Sequence, residues 1–214
     1  MREASVITRQ APEFDFSGGR LCLDFANTLE DRPSDAPREL LNSYQDFVSW
    51  GQQAHIVTEE EAQKLLEEAQ RRPGEAAQVF EQAVTVREAM YRIFSLVAED
   101  ASPAPSDLLI LNDVLSKAMA HARLIPEADG FAWGWAVEER ALDRVLWPVV
   151  RSVADILTSD ELHEVRVCAA GDCNWLFLDT SKNQSRRWCN MRSCGNRAKA
   201  RRHNERKKQS SQAS

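Results

Sequence analysis

The sequence predicts a mainly α-helical protein with short β-hairpins, followed by a small module built around four cysteines. Three observations lead there. Apolar residues recur every three or four positions through most of the chain between Ser43 and Leu157. Capping residues, Pro and Gly punctuate that pattern at intervals suited to helices of ordinary length. Cys168, Cys173, Cys189 and Cys194 then fall in the spacing C-x4-C-x15-C-x4-C, two close pairs separated by a short span. Each pair can form a tight knuckle aiming two thiolates at one ion, which is what a tetrahedral zinc site needs. The competing reading is two disulfides. It requires an oxidising compartment, for which nothing in the chain argues.

Taken in order, Glu13 to Phe16 alternates apolar and polar residues, and Ser17-Gly18-Gly19 supplies a turn. The apolar run Leu21 to Phe25 fits either a following strand or the entry to a first helix, and a short hairpin is the economical reading. Cys22, among Leu21, Leu23 and Phe25, reads as a small buried core residue. Asp24, Asn27, Thr28, Asp31 and Arg32 gather polar groups beside this run. One account of them is capping and local turn bonding. The other is the rim of a ligand pocket for a small-molecule effector, with Arg20, Asp24 and Asn27 as its polar groups. Arg32 to Arg38 contains two prolines and reads as a loop.

Ser43 opens a short helix with Phe47, Val48 and Trp50 on its apolar side. Thr58 followed by Glu59-Glu60-Glu61 reads as an N-cap with acids in the first turn, where they meet exposed amides and the helix dipole. That helix runs to about Arg71, where Arg72-Pro73-Gly74 stops it. From Glu75 to Glu99, Val79, Ala83, Val86, Met90, Ile93 and Val97 make a stripe that Phe80, Val84, Tyr91 and Phe94 widen, the pattern of a central buried helix. Ala101 to Pro105 breaks it, and Ser106-Asp107 is expected to cap another helix from Leu108 to about His121. Alternation around Glu127-Ala128-Asp129-Gly130, between Arg123 and Val137, predicts a hairpin. A helical run from Leu142 to Leu157 follows, in which Pro148 either kinks the helix or opens a new one. Thr158-Ser159-Asp160 looks like the edge of the larger domain.

In the cysteine module, Val165-Arg166-Val167 and Trp175-Leu176-Phe177-Leu178 read as two strands flanking the first knuckle, and a basic helix should follow Gly195. Its N-terminus would lie against the metal, in a treble-clef-like arrangement. Four cysteine ligands leave zinc no open position, so a single structural ion is expected. Residues 1–160 then form a helical sensor or assembly domain, 161–208 the finger, and 209–214 a disordered polar tail. The finger's fold should depend on its metal.

The stretch from Val165 to Lys208 resembles the CGNR zinc finger, whose name-giving tetrapeptide stands here as Cys194-Gly195-Asn196-Arg197. Trp175-Leu176-Phe177-Leu178-Asp179 and Arg186-Arg187-Trp188-Cys189 support the match. Gly18-Gly19-Arg20-Leu21-Cys22-Leu23-Asp24-Phe25-Ala26-Asn27-Thr28 is similar to the opening of the helical domain that precedes this finger in bacterial proteins. The resemblance implies a stress-induced transcription regulator.

The net charge of −6 hides a division. From Arg166 onward the chain has twelve Lys and Arg against three acidic residues, while the remainder has fifteen against thirty. Such asymmetry points to a polyanionic partner for the tail, or to a tail that docks on its own acidic body. Lys182, Arg186, Arg187, Arg192, Arg197, Lys199, Arg201, Arg202 and Arg206 are the candidate nucleic-acid contacts. Aromatic residues are absent after Trp188, so stacking on single strands lacks its usual means and double-stranded DNA is favoured. The alternative is a protein–protein adaptor whose finger docks an acidic partner. No phosphate loop, H-E-x-x-H or nucleophile elbow occurs, which argues against an enzyme. Met1 to Gln10 has no apolar core, and no stretch approaches a membrane span, so a soluble, cytoplasmic protein with no membrane partner is expected. The oligomeric state stays open, a homodimer among the alternatives.

Overall fold

The structure, a computed structural model, describes residues 11–136 and 141–212, without the side chains of Arg206 and of residues 208–212. The opening Met1–Gln10 and Val137 therefore lie outside the described residues. The helices are α1 (Leu21–Ala26), α2 (Tyr44–Gln53), α3 (Glu59–Arg71), α4 (Pro73–Ala98), α5 (Pro105–Ala120), α6 (Leu146–Leu157) and α7 (Asn196–Gln212). Three two-stranded antiparallel pairs interrupt them: β1 (Leu29–Glu30) with β2 (Arg38–Glu39), β3 (Ala122–Glu127) with β4 (Gly130–Trp135), and β5 (Val165–Val167) with β6 (Leu176–Leu178).

The expected central helix is α4. It packs directly on α1, α2, α3 and α5 and on the β5–β6 pair, and Ala83, Val86, Met90, Ile93 and Phe94 are fully buried along it. The neighbouring helices start where their caps are. Ser43 accepts the Asp46 amide at 3.1 Å. At α3, Thr58 accepts the Glu61 amide at 3.2 Å while the Glu61 carboxylate takes the Thr58 amide at 2.8 Å, so two orphan donors are satisfied reciprocally. Pro73 is the first residue of α4, where its missing N–H is harmless, so Arg72-Pro73-Gly74 ends one helix and begins the next. Pro148 likewise sits in the first turn of α6 and opens it without a kink.

Two expectations give way. Leu21–Ala26 is a helix, not the second strand of a hairpin. Every residue from Cys22 to Ala26 is buried, so the run carries no period that separates helix from strand. Two bonds set its start: the Arg20 carbonyl accepts the Asp24 amide at 3.0 Å, and Asp24 Oδ1 accepts the Gly18 amide at 2.7 Å. Ser106 and Asp107 lie inside the first turn of α5, which begins at Pro105. Asp107 instead takes the Arg92 guanidinium of α4, with Nη2 to Oδ1 at 2.6 Å. The backbone of α7 runs on through Gln212; its Lys, Arg and Gln residues are good helix formers and no Gly or Pro interrupts them.

The β3–β4 hairpin closes at Glu127 opposite Gly130, as the Asp-Gly turn predicts. The β1–β2 pair was not expected. Arg87, buried on α4, holds it by giving Glu39 two bonds of 2.7 Å and Thr28 one of 3.1 Å.

Strand β6 has two differently committed faces. Leu176 and Leu178 join the helical core, while Trp175 and Phe177 pack among the four cysteines, the alternation a strand imposes. One edge of β6 pairs with β5. On the other edge, Gly18 O accepts the Leu178 amide at 2.8 Å. There Asn27, 2% exposed, donates to Leu176 O and accepts from Leu176 N, both at 2.9 Å. Asn27 thus ends α1 with its backbone, its amide N–H reaching Leu23 O at 3.0 Å, while its side-chain amide takes the place of a neighbouring strand for Leu176, 149 positions away. Asn27→Ala would leave both Leu176 backbone groups buried and unpaired. The expected loss is roughly 2–4 kcal/mol, read as a lower denaturant midpoint with unchanged slope; a loss below about 1 kcal/mol would reduce Asn27 to local turn chemistry.

Candidate metal centre and nucleic-acid interface

Two knuckles bring the cysteines together. Cys168 follows β5 and bonds its amide to Trp175 O at 2.8 Å, and the Cys173 amide reaches Ala170 O at 3.0 Å. Cys194 lies in a wide helical turn, Met191–Gly195, that leads directly into α7. The Ala169 amide reaches Arg187 O at 2.8 Å and so ties the first knuckle to the second.

The four Sγ atoms lie within 4.8 Å of one another. Cys173 to Cys189 and Cys189 to Cys194 are both 3.7 Å. A tetrahedron with Zn–S bonds of about 2.3 Å has edges of about 3.8 Å, so this donor set fits one zinc ion. All five cysteines are free and buried, and the four that cluster stand in the arrangement of a metal site. Ala170, Trp175, Phe177 and Trp188 close the apolar shell. With thiols this close, hydrogen bonds from Cys173 and Cys189 pull Cys168 down to about 2 and push the thiols of Cys173 and Cys189 up. A bound dication deprotonates its thiols outright and relieves that competition. The ion supplies a cross-link; four cysteines leave it no site for substrate.

Three of the four residues in the tetrapeptide at the second knuckle have a visible part in the site. Cys194 is a ligand. A Cβ on Gly195 would meet only Met191 Sδ closely, at 2.5 Å, the flexible end of a half-exposed side chain that can move aside. Asn196 Nδ2 donates to Arg192 O at 3.0 Å, and Arg197 Nη2 donates to Cys194 Sγ at 3.2 Å. A donor on the sulfur moderates the negative charge that four thiolates place on zinc. The N-terminus of α7 therefore meets the metal centre as expected.

The nine basic candidates separate into groups. Arg186 faces inward: it donates to Trp188 O at 2.9 Å, to Leu178 O and to Cys189 O, with its guanidinium 4.5 Å from the Phe177 ring. Arg197 and Arg201 share Asp172, at 3.6 and 2.6 Å. Arg187 lies over the Trp188 ring at 5.5 Å. Lys182, Arg192, Lys199 and Arg202 are exposed and have no ion-pair partner among the described residues. The side chain of Arg206 lies outside the described residues. At 100° per residue, Lys199 and Arg202 share one side of α7, away from Arg197 and Arg201.

Three further residues build the site, of which sequence reasoning placed Tyr91 in the core stripe and Asp179 at a turn but passed over Asp172. Asp172 is the acid between two arginines. The Tyr91 hydroxyl of α4 donates to Asn174 O at 3.0 Å and so holds the first knuckle. Asp179, fully buried, takes the Ser181 amide at 3.0 Å and the Arg186 amide at 2.8 Å. Burial opposes its ionisation, but these bonds outweigh it and hold the carboxyl below its ordinary range. The apolar β6–Asp step, with Ser181 two positions on, was the available signal for that turn. Of the proposed pocket groups, Arg20 and Asp24 border a cavity and Asn27 does not.

A family model described as "Putative stress-induced transcription regulator" matches residues 19–160, and a second, described as "CGNR zinc finger", matches residues 164–207. No curated protein matches the chain. No helix among the described residues is long and apolar enough to cross a membrane.

The purified protein should carry one zinc per chain by mass spectrometry under native conditions. Cys189→Ser should lose it. Because Leu176 and Leu178 belong to the helical core, the metal-free variant should also melt several degrees lower in its main transition. An unchanged main transition would mean that the finger folds apart from the body.

Proposed function

We propose that this chain, which belongs to the ABATE family of stress-induced transcription regulators, binds double-stranded DNA through α7 and the loop before Cys189. It acts without catalysis, and zinc acts as the cross-link that holds the basic helix in place. The observation that carries this reading is the sorting of charge on the finger. Arg186 is consumed by backbone carbonyls and Arg197 by a ligand sulfur and Asp172, whereas Lys199 and Arg202 stand together on the solvent side of α7 without an ion-pair partner among the described residues, Glu205 lying one turn further on. Arg192 and Lys182 add exposed charge from the preceding segments. Unpaired cations on one side of a helix suit phosphates, and arginine can also read guanine in the major groove. The acidic body repels the same polyanion, so DNA would meet the molecule at its finger.

Replacing Lys199 and Arg202 together with alanine should weaken binding to all duplexes and flatten the plot of log affinity against log salt by about two. Fluorescence anisotropy over a salt series measures it. Asp172→Asn should do the reverse, because it frees Arg197 and Arg201: affinity should rise and the slope steepen. An acidic protein bound with no duplex binding at low salt would replace DNA by an acidic protein partner.

A further inference from the structure

A solvent-open cavity of 880 Å³ lies beside α1, the end of α2 and α6, bordered by Phe16, Arg20, Asp24, Ser152, Asp155 and Glu161. Its size is that of small-molecule sites. Most of its charge is already committed. Arg20 is paired with Glu161 through both Nε and Nη2, and Asp155 takes Arg151 at 3.2 Å. The Ser152 hydroxyl is committed to Cys22, whose amide it accepts at 3.3 Å and whose sulfur it also bonds.

Asp24 is different. It is 7% exposed, Oδ1 accepts only the neutral Gly18 amide, and no cation pairs with it among the described residues. A buried carboxylate without a cationic partner is costly. Burial accordingly pushes the Asp24 carboxyl up to about 7, against the lowering bond from Gly18. Phe16, 38% exposed, gives the same cavity an aromatic wall, its ring 6.3 Å from that of Trp50.

We propose that this cavity binds a small organic ammonium ion, its charged group against Asp24 and its apolar part against Phe16. An ammonium supplies the cation that Asp24 lacks, and an aromatic face is compatible with both its charge and its carbon skeleton. An organic anion would meet Asp24, Asp155 and Glu161 with the one arginine already taken. The site is independent of DNA binding. It nevertheless touches the finger's support, because the Gly18 peptide that donates to Asp24 also accepts the Leu178 amide of β6 at 2.8 Å.

Titration calorimetry on the full-length, zinc-loaded protein tests this with phenethylamine, cyclohexylamine and agmatine as probes. Phenylacetate and 2-phenylethanol serve as the anionic and neutral counterparts of the first. At least one amine should bind saturably at one per chain, and neither counterpart should bind at tenfold higher concentration. Asp24→Asn keeps an acceptor for the Gly18 amide and should weaken the amine at least tenfold; Phe16→Ala, at an exposed position, should weaken it several-fold. If Asp24→Asn fails to fold, the charge selectivity of the wild-type protein together with Phe16→Ala still decides. Absence of saturable binding by all three amines, equal binding of phenethylamine and its counterparts, or undiminished binding by folded Asp24→Asn would each overturn the proposal.

Discussion

The structure depends on a three-residue strand that belongs to two cores at once. Leu176 and Leu178 of β6 are buried with the helices, and Trp175 and Phe177 beside them are buried with the cysteines. A two-stranded pair of three residues has little stability in isolation. Here its second edge is closed by the Gly18 carbonyl and by the Asn27 side chain, which offers Leu176 a donor and an acceptor as a peptide would. The finger is therefore held by hydrogen bonds on both edges of β6, by apolar contact on both faces, and by Tyr91 at the first knuckle.

That mounting decides which charges remain for a partner. A cluster of four thiolates needs donors around it, and Arg197 serves one sulfur while Arg186 braces the carbonyls of Trp188 and Cys189. These two arginines define the shape of the metal centre. Asp172 then draws Arg197 and Arg201 to one side of α7, which leaves Lys199 and Arg202 on the other. The basic helix thus has one side bound into the metal centre and one side left to solvent.

What could be read in the sequence follows from the range of each interaction. The ligands were legible because cysteine chemistry and spacing are local: Cys168 with Cys173, Cys189 with Cys194. The starts of α2 and α3 were legible for the same reason, since Ser43 and Thr58 bond three residues ahead. Helix α1 was not, because burial on all sides erased its periodicity. Asn27 read as a cap and does end α1, but nothing near it reveals the partner its side chain finds in β6. Charge pattern did not reveal that the Arg186 guanidinium turns to backbone carbonyls or that Arg197 reaches Cys194 Sγ and Asp172, and Asp172 had no local signal at all.

Amide hydrogen exchange at Leu176 and Leu178, with zinc bound and after its removal by a chelator, tests most directly whether β6 unites the metal centre with the helical body. Both amides are bonded to the body, to Asn27 and to Gly18. In the zinc-bound protein they should exchange as slowly as the buried centre of α4, around Met90. Removing zinc should release them by several orders of magnitude and loosen α1 along with them, because one face of the strand loses its support. Fast exchange at Leu176 and Leu178 with zinc bound, or protection there and in α1 that survives its removal, would contradict the account.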